Sequence, residues 1–238
     1  MFKKIASFFG YEIIRKNKSP TLFSHLSVFL EKYNVDLVID VGANQGQFGC
    51  KLRQCGYKGQ IISYEPSSVS FNILSKLSVD DGNWNVYKIG LGSECGVMNL
   101  NVAASSPFSS ILLPNQYGSD IFENIRTTSK ELIRIDTLEH QFSKLELHKF
   151  KRIFLKIDTQ GYDLQVFRGA GTAVQRKIVG LLSEISLISI YEGMPDYKDS
   201  LAEFERSGFH ITGLYPVSRE ANLSLIEIDC VMLNRAIC

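Results

Sequence analysis

The stretch LVIDVGANQGQFG, Leu37–Gly49, is the most informative part of the sequence. An apolar run reaches Asp40, and the residues that follow include Gly42 and Gly46 with polar residues between them. A short apolar run bounded by glycine is typical of a buried strand, and glycine permits both a tight turn and a close approach of the backbone to a ligand. The stretch therefore predicts a strand, a glycine-rich ligand-binding loop and the start of a helix.

Strand-like and helix-like segments alternate along the rest of the chain. The segments that read as strands are 36–40, 59–66, 84–92, 152–158, 178–186, 209–216 and 224–233. The segments that read as helices are 22–33, 45–55, 69–77, a segment starting at 163, and 198–207. This alternation predicts an α/β fold with a mostly parallel seven-stranded sheet, helices on both faces and an antiparallel hairpin at one edge. The polar segment 101–128 reads as a long loop.

Composition describes an ordinary globular protein. The chain has 238 residues, 45% of them hydrophobic, and a net charge of +1, so it can bury one substantial core and has no excess charge that favours nucleic acid. Its five cysteines are an odd number without a C-x-x-C pair, which favours free thiols in a reducing compartment. The Cys/His spacing does not suit zinc, and no metal is expected. No apolar stretch reaches the length of a membrane span.

The composition of the loop discriminates between ligands. A dinucleotide fingerprint, G-x-G-x-x-G, needs a glycine where this chain has Asn44, and Asp40 would repel a pyrophosphate. A P-loop is excluded because no G-K-[ST] follows. S-adenosylmethionine has no phosphate, and its cationic amine and sulfonium suit an acid at the strand end. Gly42 and Gly46 would let the backbone pass close to its methionine part. The remaining alternative is a tight turn that holds no ligand.

Four predicted strands end at or near an acid: Asp40, Glu65, Asp158 and Glu184. Ligands of open α/β sheets bind beyond the carboxyl ends of the strands, so these acids are expected at one edge. Glu65 can accept hydrogen bonds from both ribose hydroxyls, which either nucleotide cofactor would require. Glu65 therefore does not distinguish the two cofactors, and it could also be a solvated acid at a strand end.

Four segments together resemble the FkbM family of methyltransferases: VIDVGANQGQF (38–48), YEPSS (64–68), RIDTLE (134–139) and LKIDTQGYDLQVFRGA (155–170). The resemblance runs from about Leu37 to Leu233. It implies a class I, Rossmann-like methyltransferase fold that uses S-adenosylmethionine and methylates hydroxyl groups, often on sugars of glycans or on natural products.

The resemblance also implies a set of donor-binding residues in the glycine-rich loop, after the second and third strands and in a serine pair before the fourth. They are Asp40, Gly42, Ala43, Asn44, Gly46, Phe48, Glu65, Ser67, Gly90, Leu91 and Ser110. The chain departs from the family where KIDVEGAE is usual. Gln160 replaces a glutamate, and Asp163 replaces the second one. A role that needs charge at position 160 is therefore in doubt, whereas a neutral hydrogen-bonding role remains.

Transfer of a methyl group to a hydroxyl benefits from a base within hydrogen-bonding distance. Asp158 is the first candidate and Glu184 the second, and Lys156 lies on the same side of its strand as Asp158. Asp158 could instead bind the donor without moving a proton, and Glu184 could be an ordinary acid after a buried strand. Lys156 could pair with Asp158 and hold it ionised, or it could form an ion pair that only packs the site. None of the four histidines is expected beside the donor.

Acceptor specificity is predicted in two loops, 101–128 and 191–199, because functional loops lie above the carboxyl edge. Phe108, Tyr191 and Tyr197 offer aromatic faces on which a sugar could stack, or they could simply pack the loops. The N/D-P-P-Y/F motif of base methylation is missing, so nucleic acid is not an expected partner.

The leading prediction is an S-adenosylmethionine-dependent O-methyltransferase of a sugar in a glycan or glycolipid. The alternatives are an NAD-type oxidoreductase or epimerase, which Asn44 opposes, and a non-catalytic scaffold, which only Gln160 supports. Residues 1–35 are predicted as an N-terminal helical segment and residues 36–238 as the methyltransferase domain. The N-terminal segment is basic and amphipathic, so it could contact an anionic membrane at the cytoplasmic face or pack against its own domain. The oligomeric state is left open.

Overall fold

The computed structural model describes residues 21–237. The predicted basic helix at the N-terminus falls largely on residues 1–20 and so lies outside the described residues, as does Cys238. The four cysteines within the described residues are free. No helix in residues 21–237 is long and apolar enough to cross a membrane.

Ten strands form two sheets in residues 21–237. Their bounds are β1 Leu37–Val41, β2 Gln60–Tyr64, β3 Trp84–Tyr87, β4 Gly90–Leu91, β5 Gly96–Ala103, β6 Thr127–Asp136, β7 Ile153–Ile157, β8 Ile178–Ser186, β9 Phe209–Arg219 and β10 Leu225–Asn234. The main sheet has seven strands in the order β3-β2-β1-β7-β8-β10-β9. Its pairs are parallel except those of β10, which is antiparallel to β8 and β9. The predicted fold class is confirmed, including the antiparallel hairpin at one edge.

Eight α-helices accompany the strands in the described residues. Their bounds are α1 Leu22–Lys32, α2 Gln47–Gln54, α3 Ser68–Ser78, α4 Gln116–Ile121, α5 Leu138–Lys144, α6 Asp163–Arg168, α7 Gly171–Gln175 and α8 Tyr197–Arg206. The predicted helices are found within two residues of their expected starts. Gly46 delays the start of α2, because its φ of +91° is left-handed and places it at the N-cap.

The central strands are buried because both faces of the sheet are covered. All five residues of β1 and of β7 are buried. Alternate residues of β1 enter two different cores: Leu37 and Ile39 pack with residues of α5–α8, and Val38 packs with residues of α1–α3. From β1 the chain proceeds to β2 on one side, whereas β7 lies on the other. The switch point at which ligands bind is therefore between β1 and β7.

Two predictions for residues 84–136 are wrong. The expected strand 84–92 is two strands, because β3 stays in the main sheet while β4 leaves it. The segment 101–128, expected as a loop, begins within β5 and ends within β6, and β4-β6-β5 form a second sheet. This sheet has a small core of its own, made by Leu100, Ile133 and Ile135. Polar residues fill most of its exposed face, which concealed the strand pattern in the sequence.

Candidate active site

A cavity of about 560 Å³ opens at the carboxyl ends of β1, β2 and β7, within the usual size range of small-molecule pockets. It also reaches β4, the loop before α4, the ends of β8 and β10, and the start of α1. All but two of the predicted site residues line it. Those that do are Gly42, Ala43, Asn44, Phe48, Glu65, Ser67, Gly90, Leu91, Ser110, Lys156, Asp158 and Glu184.

The glycine-rich loop is held in place by its own contacts. Gly42 has a φ of +72°, and a Cβ at this position would clash with the backbone carbonyl of Asp158. Asn44 is also left-handed, with a φ of +48°, and its side-chain oxygen accepts hydrogen bonds from Ser70 Oγ and Ser106 Oγ, each at 3.0 Å. A loop fixed in this way loses little freedom when a ligand binds.

Glu65 completes the loop from the end of β2. Its carboxylate accepts the backbone N–H of Asn44 at 2.8 Å through Oε2 and that of Ser67 at 2.8 Å through Oε1. Burial raises the pKa of Glu65 to about 7, although these two N–H groups oppose the rise. Each oxygen retains a lone pair, so the ionised carboxylate can still accept two hydroxyl groups from a ligand in the cavity.

Lys156 lies at the centre of the site and is cationic. Its Nζ is 3.0 Å from Asp40 Oδ1 and 3.4 Å from Asp158 Oδ2, and it donates to the carbonyl oxygen of Gly42 at 3.0 Å. Burial would lower the pKa of Lys156, but the charges of Asp40 and Asp158 raise it overall. A lysine held in its charged form cannot act as a base, so its catalytic role is confined to electrostatics and positioning.

Asp40 and Gly46 are the two predicted donor-binding residues that do not line the cavity, and their contacts with the donor stay predictions. Asp40 is fully buried, and besides its ion pair with Lys156 it accepts a hydrogen bond from Ser63 Oγ at 3.2 Å. Its carboxylate therefore balances the charge of Lys156 below the loop. Gly46 lies beneath the loop against Leu74, where a Cβ would be too close at 2.9 Å. Glycine is required at position 46 because of this close packing and because the φ angle is positive.

Gln160 bridges the two candidate bases. Its Nε2 donates to Asp158 Oδ1 at 2.9 Å and to Glu184 Oε2 at 2.7 Å. The hydroxyl of Tyr191 lies 2.9 Å from Gln160 Oε1 and 3.0 Å from the carbonyl oxygen of Phe108. Burial, followed by the charge of Asp158, raises the pKa of Glu184 well above its ordinary value. The neutral role left open for position 160 is thus the one found.

Asp229 is a site residue that the sequence analysis missed. It lines the cavity from β10, opposite Glu184 in the register of β8 and β10. Burial and the charge of Asp158 raise the pKa of Asp229 to about 6. Two acids, Glu227 and Asp229, inside a mainly apolar strand were the signal that could have identified it, because such residues are rarely buried without a reason.

The aromatic residues expected to bind the acceptor lie elsewhere. Phe108, Tyr191 and Tyr197 do not line the cavity: Tyr191 is 2% exposed, Tyr197 packs on the main core and Phe108 packs in a small cluster beside it. Phe23 and Phe48 line the cavity instead, and their ring centroids are 5.9 Å apart. Phe23 belongs to α1, so the described end of the predicted N-terminal segment contributes to the site.

The histidines remain outside the cavity as expected. His25 Nδ1 is 2.8 Å from the hydroxyl of Tyr215, and the exposed His140 pairs with Asp136 at 2.8 Å. Cys95 also contacts Asp136, so three potential metal ligands meet there. Asp136 does not line the cavity, and its carboxylate also accepts hydrogen bonds from the backbone N–H of Thr137 and from the Gln141 amide.

The geometry suits S-adenosylmethionine. Glu65 presents oriented carboxylate oxygens at the end of β2, Leu91 and Ile133 give apolar walls, and Asp158 places negative charge where a sulfonium is expected. The individual donor contacts remain predictions.

The sequence from residue 40 to residue 211 matches the family model of the methyltransferase FkbM domain. The methyltransferase sdnD of Sordaria araneosa is 26% identical over 153 residues, which cover 56% of this chain and 59% of that protein. The match therefore spans less than two thirds of that relative's length.

Two solved structures are similar to this chain over most of its length. Aeropyrum pernix fibrillarin in complex with natively bound S-adenosyl-L-methionine has 11% identity, a TM-score of 0.44 and coverage of 83% of this chain and 66% of its own. Magnesium protoporphyrin IX methyltransferase from Synechocystis PCC 6803, with bound S-adenosylmethionine, has 10% identity and a TM-score of 0.48. The match covers 89% of this chain and 77% of that protein. At these TM-scores the assignment depends on the family match alone. Because that match covers most of the sequence, this chain belongs to the FkbM methyltransferase family, and it contains an S-adenosylmethionine-dependent methyltransferase domain.

Proposed function

We propose that this protein is an O-methyltransferase that methylates a hydroxyl group of a sugar, in a glycan or glycolipid. One observation carries the proposal. Asp158 faces the cavity from the end of β7, about one third exposed, with its carboxylate held between Lys156 and Gln160. A carboxylate fixed in this way can receive the proton of a hydroxyl group.

S-adenosylmethionine supplies an activated methyl group when it is bound, so the chain's own residues mainly align the acceptor and move one proton. Glu65 would hold the ribose hydroxyls through the oxygens that its two N–H contacts leave free. Asp158 would accept the proton as the acceptor oxygen attacks. Lys156 would keep Asp158 ionised and in position, with Asp40 balancing its charge.

A sugar suits the rest of the cavity. Glu184 and Asp229 line it and can hydrogen-bond several hydroxyl groups, and the rings of Phe23 and Phe48 in its lining offer apolar faces for a sugar ring. The bridging role of Gln160 also removes the argument for a non-catalytic scaffold. The family match leaves the NAD-type alternative without support.

The proposed setting is the cytoplasmic face of a membrane, where glycans are assembled. The pattern of Lys3, Lys4, Arg15, Lys16 and Lys18 around a short apolar patch supports it. Nucleic acid is not proposed as a partner, because the net charge is +1 and no basic stripe is present in the sequence.

The test is transfer of label from methyl-labelled S-adenosylmethionine to a panel of sugar nucleotides, lipid-linked oligosaccharides, and non-sugar alcohols and amines. We expect label on a sugar hydroxyl, seen as an O-methyl carbon signal in the product. Glu65→Ala should abolish transfer. Glu131→Ala is the matched control, since Glu131 also accepts a backbone N–H near the end of β2 but does not line the cavity. Transfer only to amines or non-sugar alcohols would refute the proposal.

A further inference from the structure

We propose that Gln160 is a positioning residue whose amide joins Asp158 and Glu184 into one unit with a single negative charge, which leaves Asp158 as the ionised base. This inference rests on the proposed methyl transfer to a hydroxyl group. It goes beyond that proposal because it assigns different protonation states to the two acids and a cause for the difference.

The bridge is made by one nitrogen. Gln160 Nε2 has two hydrogens, and the two carboxylate oxygens lie 2.9 Å and 2.7 Å from it, on Asp158 and Glu184. Each acid thus receives one N–H donor. A glutamate, which the family pattern has at this position, could not donate in this way when ionised. The substitution therefore changes how the two acids are held.

The orientation of the amide is determined by its surroundings. The hydroxyl of Tyr191, itself buried, has one hydrogen and two acceptors within reach, Gln160 Oε1 at 2.9 Å and the carbonyl oxygen of Phe108 at 3.0 Å, and the nitrogen of the amide faces the acids. A flipped amide would place its oxygen against Asp158 Oδ1, which belongs to the ionised acid of the pair. The backbone is held as well, because Ser110 Oγ donates to the carbonyl oxygen of Gln160 at 2.7 Å. Gln160 keeps a left-handed φ of +55° in this arrangement.

The charges around the pair favour one negative charge over two. The groups that face it are Lys156 on β7, Asp163 on α6, and Glu227 and Asp229 on β10. Only one of these four is a cation, and Lys156 is 3.4 Å from Asp158. Glu184 lies among the acids, and its raised pKa has burial as its main cause. The proton is therefore expected on Glu184 and the charge on Asp158.

A single charge matches the proposed chemistry. The acceptor oxygen forms a bond to the methyl carbon, the carbon–sulfur bond breaks with its electron pair going to sulfur, and the hydroxyl proton moves to Asp158. A positive sulfonium and a negative carboxylate both become neutral. The net charge of the cavity is the same before and after transfer, which avoids leaving an uncompensated charge in a partly buried site.

The test compares Gln160→Met, which keeps the length of the side chain and removes both N–H donors, with Tyr191→Phe, which frees the amide to turn. Tyr117→Phe is the matched control, since its hydroxyl contacts Glu220 away from the cavity. We expect the acid limb of the kcat–pH profile to move up by at least one pH unit in Gln160→Met. A smaller shift in the same direction is expected in Tyr191→Phe, and none in the control. The affinity for S-adenosylmethionine at pH 8 should change less than threefold.

A second measurement needs no acceptor. The ratio of the dissociation constants of S-adenosylhomocysteine and S-adenosylmethionine reports the charge of the acid pair, because the two ligands differ at the sulfonium. Dividing the ratio of each variant by the ratio of the native protein at the same pH cancels the ligands' own titration. Between the pH at which the native acid limb begins and pH 8.5, we expect the variant ratio divided by the native ratio to change at least threefold for Gln160→Met and not for Tyr117→Phe.

The two measurements separate the outcomes. Native protein that binds the donor but methylates no hydroxyl acceptor would refute the proposed function, while the ligand ratio would still test the bridge. Unchanged pH profiles and a pH-independent quotient, in variants that melt like the native protein, would overturn the inference itself. If Gln160→Met fails to fold, Tyr191→Phe provides the same two readouts.

Discussion

Glu65 is expected to make donor binding depend on pH near neutrality. Its pKa is raised to about 7, mainly by burial. Only the ionised carboxylate can accept two ribose hydroxyls in addition to the N–H groups of Asn44 and Ser67. Because the pKa is raised, the carboxylate is ionised above pH 7 and protonated below it. Donor affinity should therefore be full at pH 8 and should fall as the pH falls through 7.

The size of the effect follows from this pKa. The ionised fraction falls from about 90% at pH 8 to about 10% at pH 6, so the dissociation constant should rise about tenfold, or about 1.4 kcal/mol. Glu65→Gln removes the charge, and hydrogen bonds to charged groups contribute about 1.5–3 kcal/mol. At pH 8 the variant should thus bind the donor about 10- to 150-fold more weakly. At pH 6 the gap should shrink by about tenfold, because the native residue is then mostly protonated.

Calorimetric titration with S-adenosylmethionine at pH 6, 7 and 8 measures this directly. The informative quantity is the ratio of the dissociation constants of Glu65→Gln and native protein, in which the donor's own ionisation cancels. Glu131→Gln serves as the control, with affinity expected within twofold of native at each pH. The reasoning is refuted if the ratio for Glu65→Gln is the same at pH 6 and pH 8 in samples that circular dichroism shows to be folded.

Three further outcomes are expected. Gly42→Ala should lower the free energy of unfolding by more than 1 kcal/mol and abolish donor binding, since its Cβ would clash and its φ is +72°; Gly82→Ala, where a Cβ meets nothing within 4 Å, should shift the melting temperature little. Phe23→Ala should raise the acceptor KM at least threefold and leave the donor dissociation constant unchanged, whereas Val28→Ala on the exposed face of the same helix should alter neither. An unchanged acceptor KM would remove Phe23 from the acceptor site. Phe167→Ala should cost about 3–5 kcal/mol in urea unfolding, because the ring is fully buried in the main core; a loss below 1 kcal/mol would contradict the packing described.

Much of the fold was predictable from local patterns. The strand ending at Asp40, the glycine-rich loop and the following helix occupy adjacent residues, so composition and spacing reveal them. The gathering of Glu65, Asp158 and Glu184 at one edge follows from parallel strands and needs no side-chain detail. The second sheet escaped prediction because only three fully buried apolar side chains hold its core.

The contacts that define the site could not be derived in this way. Asp40 seemed available to a ligand, but the register of β1 against β7 places it opposite Lys156, with which it forms an ion pair. Tyr191 seemed a platform for a sugar, but it lies buried against Gln160. Phe23 was missed because its place at the cavity depends on how α1 packs on the sheet.

The amino-acid sequence alone was sufficient for the strands of the main sheet, the edge at which chemistry occurs, the family and the methyl donor, because all four depend on short runs of adjacent residues. Only the tertiary structure shows which partner each charged side chain has. Strand register and helix packing bring together residues that lie far apart in sequence, and burial then sets which of them keep their charge. Gln160 is the clearest case. The sequence showed that a glutamine replaces the glutamate usual in the family, but only the structure shows that its amide donates hydrogen bonds to Asp158 and Glu184.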